Sequence, residues 1–146
     1  MKLTIIPLIA ALSALAPAFA RISNVTFPDS ATVGGTLQLN VSESGYIQNW
    51  DDLGILVGFG SDSGLKNCAA CVGAQGQFYS NIYNNDTLIG TNRARPSSFV
   101  LEVPVPSYLN TSETWRVTAA VPYVVGAMGG THIRFWNHTV TLNPAA

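Results

Sequence analysis

From residue 21 to the C-terminus, apolar residues mostly alternate with polar ones in short runs. Leu37, Leu39 and Val41 occupy every second position of one such run, and polar residues fill the positions between them. Clusters of Gly, Pro, Asn, Asp and Ser separate the runs at spacings of about ten residues, which is typical of sandwich folds. No sustained helical period follows residue 20. The pattern therefore predicts an all-β chain, an immunoglobulin-like antiparallel β-sandwich of about seven strands.

The third and last of these strands have distinctive patterns. The third alternates large apolar residues with glycines, so that Gly58 and Gly60 share one face. The last strand changes phase between Phe135 and Val140, which predicts a β-bulge near residues 137–138. The seven predicted strands lie at 25–27, 37–42, 53–60, 77–83, 99–105, 115–121 and 131–142.

The first twenty residues have the three parts of a secretory signal peptide. Lys2 supplies a positive charge, residues 3–16 are uncharged and mainly apolar, and Ala18-Phe19-Ala20 fits the small-x-small cleavage rule. The apolar run is shorter than the roughly 20 residues that span a bilayer. We therefore expect residues 1–20 to be removed and residues 21–146 to form a single secreted domain without a membrane span.

The mature chain has few charges and many sites for sugar. Without Lys2, six basic residues face eight acidic ones, a net charge of −2 that does not favour nucleic acid. Five N-x-S/T sequons provide acceptors for N-linked glycosylation in a secreted protein. The acceptor asparagines are Asn24, Asn40, Asn85, Asn110 and Asn137.

Cys68 and Cys71 are the only cysteines. In an oxidising secretory route, two cysteines this close are expected to pair and to staple the connection between the third and fourth strands. A thioredoxin-like redox role would need a helix and a βαβ context, which the pattern does not contain. Zinc would require His132 and His138 as further ligands, some sixty residues away. We therefore predict a disulfide, with no metal site and no cofactor.

Residues that could carry catalysis do not form a recognisable set. The two histidines have no serine nucleophile or carboxylate partner by sequence pattern, and we expect them at the surface or at a strand edge. Asp51 and Asp52 would point to opposite faces of a strand, whereas a glycosidase needs both carboxylates beside one bond. A turn or a helix cap is the expected place for them, and a single helical turn is compatible with residues 48–53. The sequence favours a chain that is not an enzyme.

Tyr79 and Tyr83 provide a candidate binding surface. Both lie on the face of the fourth predicted strand opposite to Phe78 and Ile82. Exposed rings in such a row could stack on sugars or contact a protein. Alternatively, the rings cover the glycines of the neighbouring third strand.

Short motifs in a fixed order resemble the fungal necrosis-inducing secreted protein family. The resemblance runs over almost the whole mature chain, and the combination of order, spacing and signal peptide is more specific than any one motif. The motifs are Arg21-Ile22-Ser23, Tyr46-Ile47-Gln48, Asp51-Asp52, Gly58-Phe59-Gly60, Gly76-Gln77-Phe78-Tyr79 and Asn137-His138-Thr139-Val140-Thr141-Leu142.

The resemblance implies a secreted effector without enzymatic activity. Family members are associated with suppression of plant pattern-triggered immunity through binding of host immune receptor kinases, and with host cell death. The resemblance leaves both the apoplast and the host cytoplasm open as destinations. The alternative is a secreted cell-wall or carbohydrate-binding module that uses Tyr79 and Tyr83.

Overall fold

A computed structural model describes residues 19–46, 50–82 and 98–145. Within these stretches the chain forms nine strands and one four-residue helix. The strands are β1 (Phe19–Thr26), β2 (Ser30–Thr32), β3 (Thr36–Tyr46), β4 (Trp50–Asp52), β5 (Gly54–Ser61), β6 (Gln75–Asn81), β7 (Ser98–Pro104), β8 (Thr114–Val125) and β9 (Gly130–Asn143), and the helix is α1 (Asp62–Leu65).

The strands form two sheets that pack as a sandwich. The smaller sheet has the order β1-β3-β7, and the larger has the order β2-β9-β8-β5-β6, with β4 paired to β8. Neighbouring strands are antiparallel except for β2 and β9. The all-β sandwich predicted from the alternation is confirmed.

Inward-facing residues of both sheets form one hydrophobic core. β3 contributes Leu37, Leu39 and Val41, and β5 contributes Ile55, Val57 and Phe59, as the period-2 pattern predicts. Complete burial of such side chains contributes about 1.5–3 kcal/mol each, so the alternating runs account for much of the stability of the sandwich.

Each of the seven predicted strands overlaps an observed one, but the predicted number is too low. The two additional strands, β2 and β4, contain only three residues each. Such short strands show no alternation that a sequence pattern can register. β4 occupies part of the segment where a helical turn was compatible with the sequence, and residues 47–49 of that segment lie outside the described residues.

The predicted bulge in the last strand is wrong. β8 and β9 pair in continuous register from Thr114↔Thr141 to Val125↔Gly130. The inward positions of β9 include Arg134 and Trp136, so the strand keeps one phase while polar groups occupy part of its inner face. The apparent change of phase arises because Ile133 is apolar but lies on the outer face of β9, where it is 54% exposed.

The N-terminal strand begins close to the predicted cleavage site. β1 begins at Phe19, and Arg21, the predicted first mature residue, pairs with Ser44 of β3. Residues 1–18, which contain most of the predicted signal peptide, lie outside the described residues, and cleavage after Ala20 stays a prediction. No helix within the described stretches is long and apolar enough to cross a membrane.

The two sheets are joined by a buried carboxylate, that of Asp52. Its Oδ2 atom accepts a hydrogen bond from the backbone N–H of Ile22 in β1 at 2.6 Å. Its Oδ1 atom lies 3.0 Å from Nη2 of Arg134 in β9, and it also accepts a hydrogen bond from Nε1 of Trp50 at 3.0 Å. The expected turn or helix cap at Asp51 and Asp52 is therefore wrong, because both residues belong to β4.

Burial changes the titration of this ion pair. Loss of solvent raises the pKa of the Asp52 carboxyl above its ordinary value of 3.8, although the hydrogen bonds from Ile22 and Trp50 and the charge of Arg134 oppose the rise. Loss of solvent likewise lowers the pKa of the Arg134 guanidinium. In the unfolded chain the Asp52 carboxyl releases its proton at a lower pH than in the folded protein. Its contribution to the free energy of unfolding therefore decreases as the pH rises from 3.8 through the folded pKa.

Asp52→Ala is expected to destabilise the domain by about 3 kcal/mol at neutral pH, because it leaves Arg134 buried without its counter-charge. It should also remove the fall in stability that Asp52 causes above pH 3.8. Urea unfolding across a pH series measures both effects.

Asp51→Ala is the matched control, because Asp51 is the adjacent residue of the same strand and is not part of the ion pair with Arg134. An equal loss of stability in the two variants would show that the carboxylate of Asp52 does not join the sheets.

Candidate functional site

Four side chains form a continuous row across the outer face of the larger sheet. Tyr79 of β6 lies opposite Leu56 of β5, Leu56 lies opposite Ala120 of β8, and Ala120 lies opposite Phe135 of β9. We call these four residues the apolar row. None of them carries a charge, and each is held by a paired strand of the sheet.

The apolar row is open to solvent at several points. Tyr79 is 57% exposed at one end, and Ile133, two residues before Phe135 in β9, is 54% exposed. Leu56 and Phe135 are partly exposed, whereas Ala120 is buried between its neighbours. Contiguous exposed apolar groups on a rigid sheet are typical of a surface that binds a partner.

Tyr79 also fulfils the alternative role that the sequence suggested for it. A Cβ atom at Gly54 of β5 would collide with the ring of Tyr79, so the ring lies directly over this glycine. The Tyr79 hydroxyl donates a hydrogen bond to the carbonyl oxygen of Leu53 at 3.4 Å. The ring is therefore held against the strand, although Tyr79 stays 57% exposed. Tyr83, the other predicted member of this surface, lies outside the described residues.

The remaining glycines of β5 are covered by the segment that follows the strand. A Cβ atom at Gly58 would collide with the carbonyl oxygen of Gly73 and with the side chain of Val72. A Cβ atom at Gly60 would collide with Leu65 of α1. The glycine face predicted from the sequence is thus covered by the segment of residues 62–74, through Leu65, Val72 and Gly73.

The structure pairs Cys68 with Cys71 inside this covering segment. The backbone turns tightly there, since Cys68 N–H donates to the Leu65 carbonyl and Cys71 N–H donates to that of Cys68. Arg116 of β8 anchors the segment by an ion pair with Asp62, at 2.8 Å, and by a hydrogen bond to the carbonyl of Leu65. The disulfide therefore shapes the segment that covers the glycines of β5.

A small cavity lies under this cover, next to the helix. Its volume is about 280 Å³, and none of the residues that line it is titratable. Phe59, Leu65 and Trp115 are the large apolar residues that line it. The cavity can hold a small apolar group, and Ser61 and Gln75 are the lining residues with polar side chains.

The histidines occupy separate places. The ring of His132 stacks on Tyr123 with 5.4 Å between ring centroids. Nε2 of His138 lies 3.0 Å from the exposed Oδ1 of Asp29, a carboxylate partner that no sequence pattern indicated. Across the three described stretches, no group of three or more His, Cys, Asp or Glu side chains could hold a metal ion.

Four of the five predicted glycosylation sites can be placed. Asn24 and Asn40 lie on the exposed face of the smaller sheet, where Asn24 is opposite Ser42 and Asn40 is opposite Thr26. Asn110 lies in the turn between β7 and β8, and Asn137 lies on the outer face of β9. All four side chains are exposed, and Asn85 lies outside the described residues.

Gly58→Ala is expected to destabilise the domain by about 1–3 kcal/mol, the usual cost of overpacking, because the added methyl group collides with Gly73 and Val72. Gly130→Ala is the control, since the atom nearest to a Cβ there is the tip of the flexible His132 side chain at 3.3 Å, and the Val125 carbonyl oxygen lies at 3.8 Å. Thermal unfolding of both variants measures the difference. Equal stabilities would mean that residues 72–73 do not rest on β5.

Comparison with known proteins places the chain in a family. The profile of the Nis1 family matches residues 18–141, which is most of the chain and includes every strand of the sandwich except the last two residues of β9. No curated protein matches the sequence. Because the match covers far more than half of its length, the chain belongs to the Nis1 family of fungal necrosis-inducing secreted proteins.

Proposed function

We propose that this protein is a secreted fungal effector that suppresses plant pattern-triggered immunity by binding host immune receptor kinases through the apolar row. Family membership supports the effector role. The observation that carries the binding mode is the row itself, which extends over four strands and ends in the exposed Tyr79.

The chemistry of the row suits contact with a protein. The central part of a protein interface is apolar and rich in aromatic residues, and charged residues are depleted there. Tyr79 and Phe135 provide two aromatic groups, and Ile133 extends the apolar surface along β9. In the next cross-strand pair, Asn137 borders the row with an exposed polar side chain, whereas Thr118 is buried.

A rigid surface also lowers the cost of binding. Each row residue lies on a strand that pairs with a neighbour on at least one side, so that little backbone freedom is lost when a partner docks. A standard interface buries about 800 Å² on each protein, of which a few central residues supply most of the binding free energy. Ile133 and Tyr79 are the exposed residues best placed for that role.

Ile133→Ser is expected to weaken binding to a plant immune receptor kinase domain about tenfold or more, because it removes an exposed apolar contact beside the row. Val100→Ser is the matched control, since Val100 is 48% exposed but lies on the smaller sheet. Calorimetry with purified kinase domains measures the affinities, and a phosphorylation assay measures inhibition.

Thermal unfolding of both variants should differ little from that of the parent protein, since such surface substitutions usually change stability by about 0.5 kcal/mol or less. Absence of binding by the parent protein to any such kinase would contradict the proposed function. Equal weakening by Ile133→Ser and Val100→Ser would contradict the proposed surface.

A second candidate function is binding to cell-wall polysaccharide. The observation in its favour is the position of Tyr79, whose ring contacts the strand at Gly54 while the residue stays 57% exposed to solvent. The apolar face of a sugar ring can stack on such a platform, because aromatic rings provide a large flat apolar area.

Tyr79→Ala should abolish retention on chitin, glucan or cellulose if the polysaccharide function holds. Tyr108→Ala is the control, because Tyr108 is 68% exposed but lies in the turn after β7. A sedimentation assay with each insoluble polysaccharide measures retention. A parent protein that stays in the supernatant with all three would eliminate this candidate.

A further inference from the structure

The sequon at Asn137 shares its face of the sheet with an aromatic side chain. Phe135, Asn137 and Thr139 occupy alternate positions of β9, and they lie opposite Ala120, Thr118 and Arg116 of β8. Alternate residues of a strand point to the same face and are about 7 Å apart. The acceptor asparagine therefore projects beside the ring of Phe135.

The side-chain amide of Asn137 is accessible. It is exposed and makes no hydrogen bond to any residue of the described stretches. By contrast, the amide of Asn110 donates to Glu113 at 3.0 Å, and that of Asn24 donates to Thr26 at 3.3 Å. The fold thus leaves the nitrogen of Asn137 free to carry a substituent.

We propose that Asn137 carries an N-linked glycan whose first N-acetylglucosamine packs against the ring of Phe135. In the transfer reaction, the bond between the sugar C1 atom and the pyrophosphate of a lipid-linked oligosaccharide breaks. A bond from C1 to Nδ2 of Asn137 forms, the amide loses one proton, and the lipid pyrophosphate leaves. An oligosaccharyltransferase of the secretory route supplies this donor.

The physical basis is burial of apolar surface by the sugar. A pyranose ring has a face of C–H groups, and contact with an aromatic ring removes both surfaces from water. Phe135 is only partly buried by its protein neighbours, so part of its ring is available for this contact. Transfer acts on the extended chain, and the contact forms only when β9 brings both side chains to one face. The glycan therefore stabilises the folded state selectively.

Asn40 provides a matched comparison within the same protein. It also lies in a long strand, is exposed and has no hydrogen-bonded partner among the described residues. Its cross-strand neighbours are Thr26 and Val100, and Gln38 and Ser42 flank it on the same face. None of these is aromatic, so a glycan at Asn40 has no ring on which to pack.

The experiment compares glycosylated variants secreted from a fungal host. Mass spectrometry first measures occupancy at each sequon, and thermal unfolding then measures stability. Asn137→Gln should lower the melting temperature by about 3 °C, whereas Asn40→Gln should change it by less than about 1 °C. Trimming of the glycans to a single N-acetylglucosamine should preserve the difference, because the first sugar makes the contact.

The role of the ring is tested in a double-mutant cycle. In a Phe135→Thr background, Asn137→Gln should no longer lower the melting temperature, whereas in a Phe135→Trp background it should. Upfield NMR shifts of the N-acetylglucosamine protons in the parent protein report the contact without any substitution. An unoccupied Asn137, an unchanged effect in Phe135→Thr, or the absence of these shifts would overturn the proposal.

Discussion

The carboxylate of Asp52 is the interaction on which the arrangement of the sandwich depends. It bonds to a backbone N–H of the smaller sheet and to an arginine of the larger one, so that one buried group fixes the position of each sheet relative to the other. A buried charge is tolerated only when its hydrogen-bonding capacity is used. Asp52 meets that condition with Ile22, Trp50 and Arg134.

Aromatic rings complete the environment of this ion pair. The guanidinium of Arg134 lies 4.7 Å from the ring centroid of Trp50, 4.9 Å from that of Tyr123 and 5.1 Å from that of Trp136. Ring faces attract a cation without offering it a hydrogen bond, which partly offsets its loss of water. This end of the sandwich is therefore held by the hydrogen bonds of Asp52 inside an aromatic shell, whereas the rest of the core is mainly aliphatic and includes the buried aromatic residues Phe59 and Trp115.

The amino-acid sequence predicts the local features of the sandwich but not the contacts between residues far apart in the chain. Alternation sufficed for β3 and β5, because each strand has one fully apolar face. It could not locate the ion pair, since Asp52 and Arg134 are 82 residues apart and only the sheet topology brings them together. The same arginine occupies an inward position of β9, and this explains why the strand was assigned a change of phase that it does not have.

The candidate surface was predictable only in part. Tyr79 was identified from its parity, but the apolar row also requires Leu56, Ala120 and Phe135, whose alignment depends on the register of three strand pairs. The glycines explain why the row is narrow. Residues 62–74 cover Gly58 and Gly60 on one side of it, so Leu56 is the one side chain of the outer face of β5 within reach of a partner.

The two outer faces of the sandwich suit different roles. On the smaller sheet, two sequons lie in adjacent strands, with Asn24 opposite Ser42 and Thr26 opposite Asn40, so that glycans at both sites would cover one polar face. Among the described residues of the larger sheet, the sequon at Asn137 borders the Phe135 end of the apolar row. A glycan packed on Phe135 would leave Tyr79 and Leu56 as the accessible part of the row. A protein partner would then contact Tyr79 and Leu56 together with Ile133, which lies on the side of Phe135 away from Asn137.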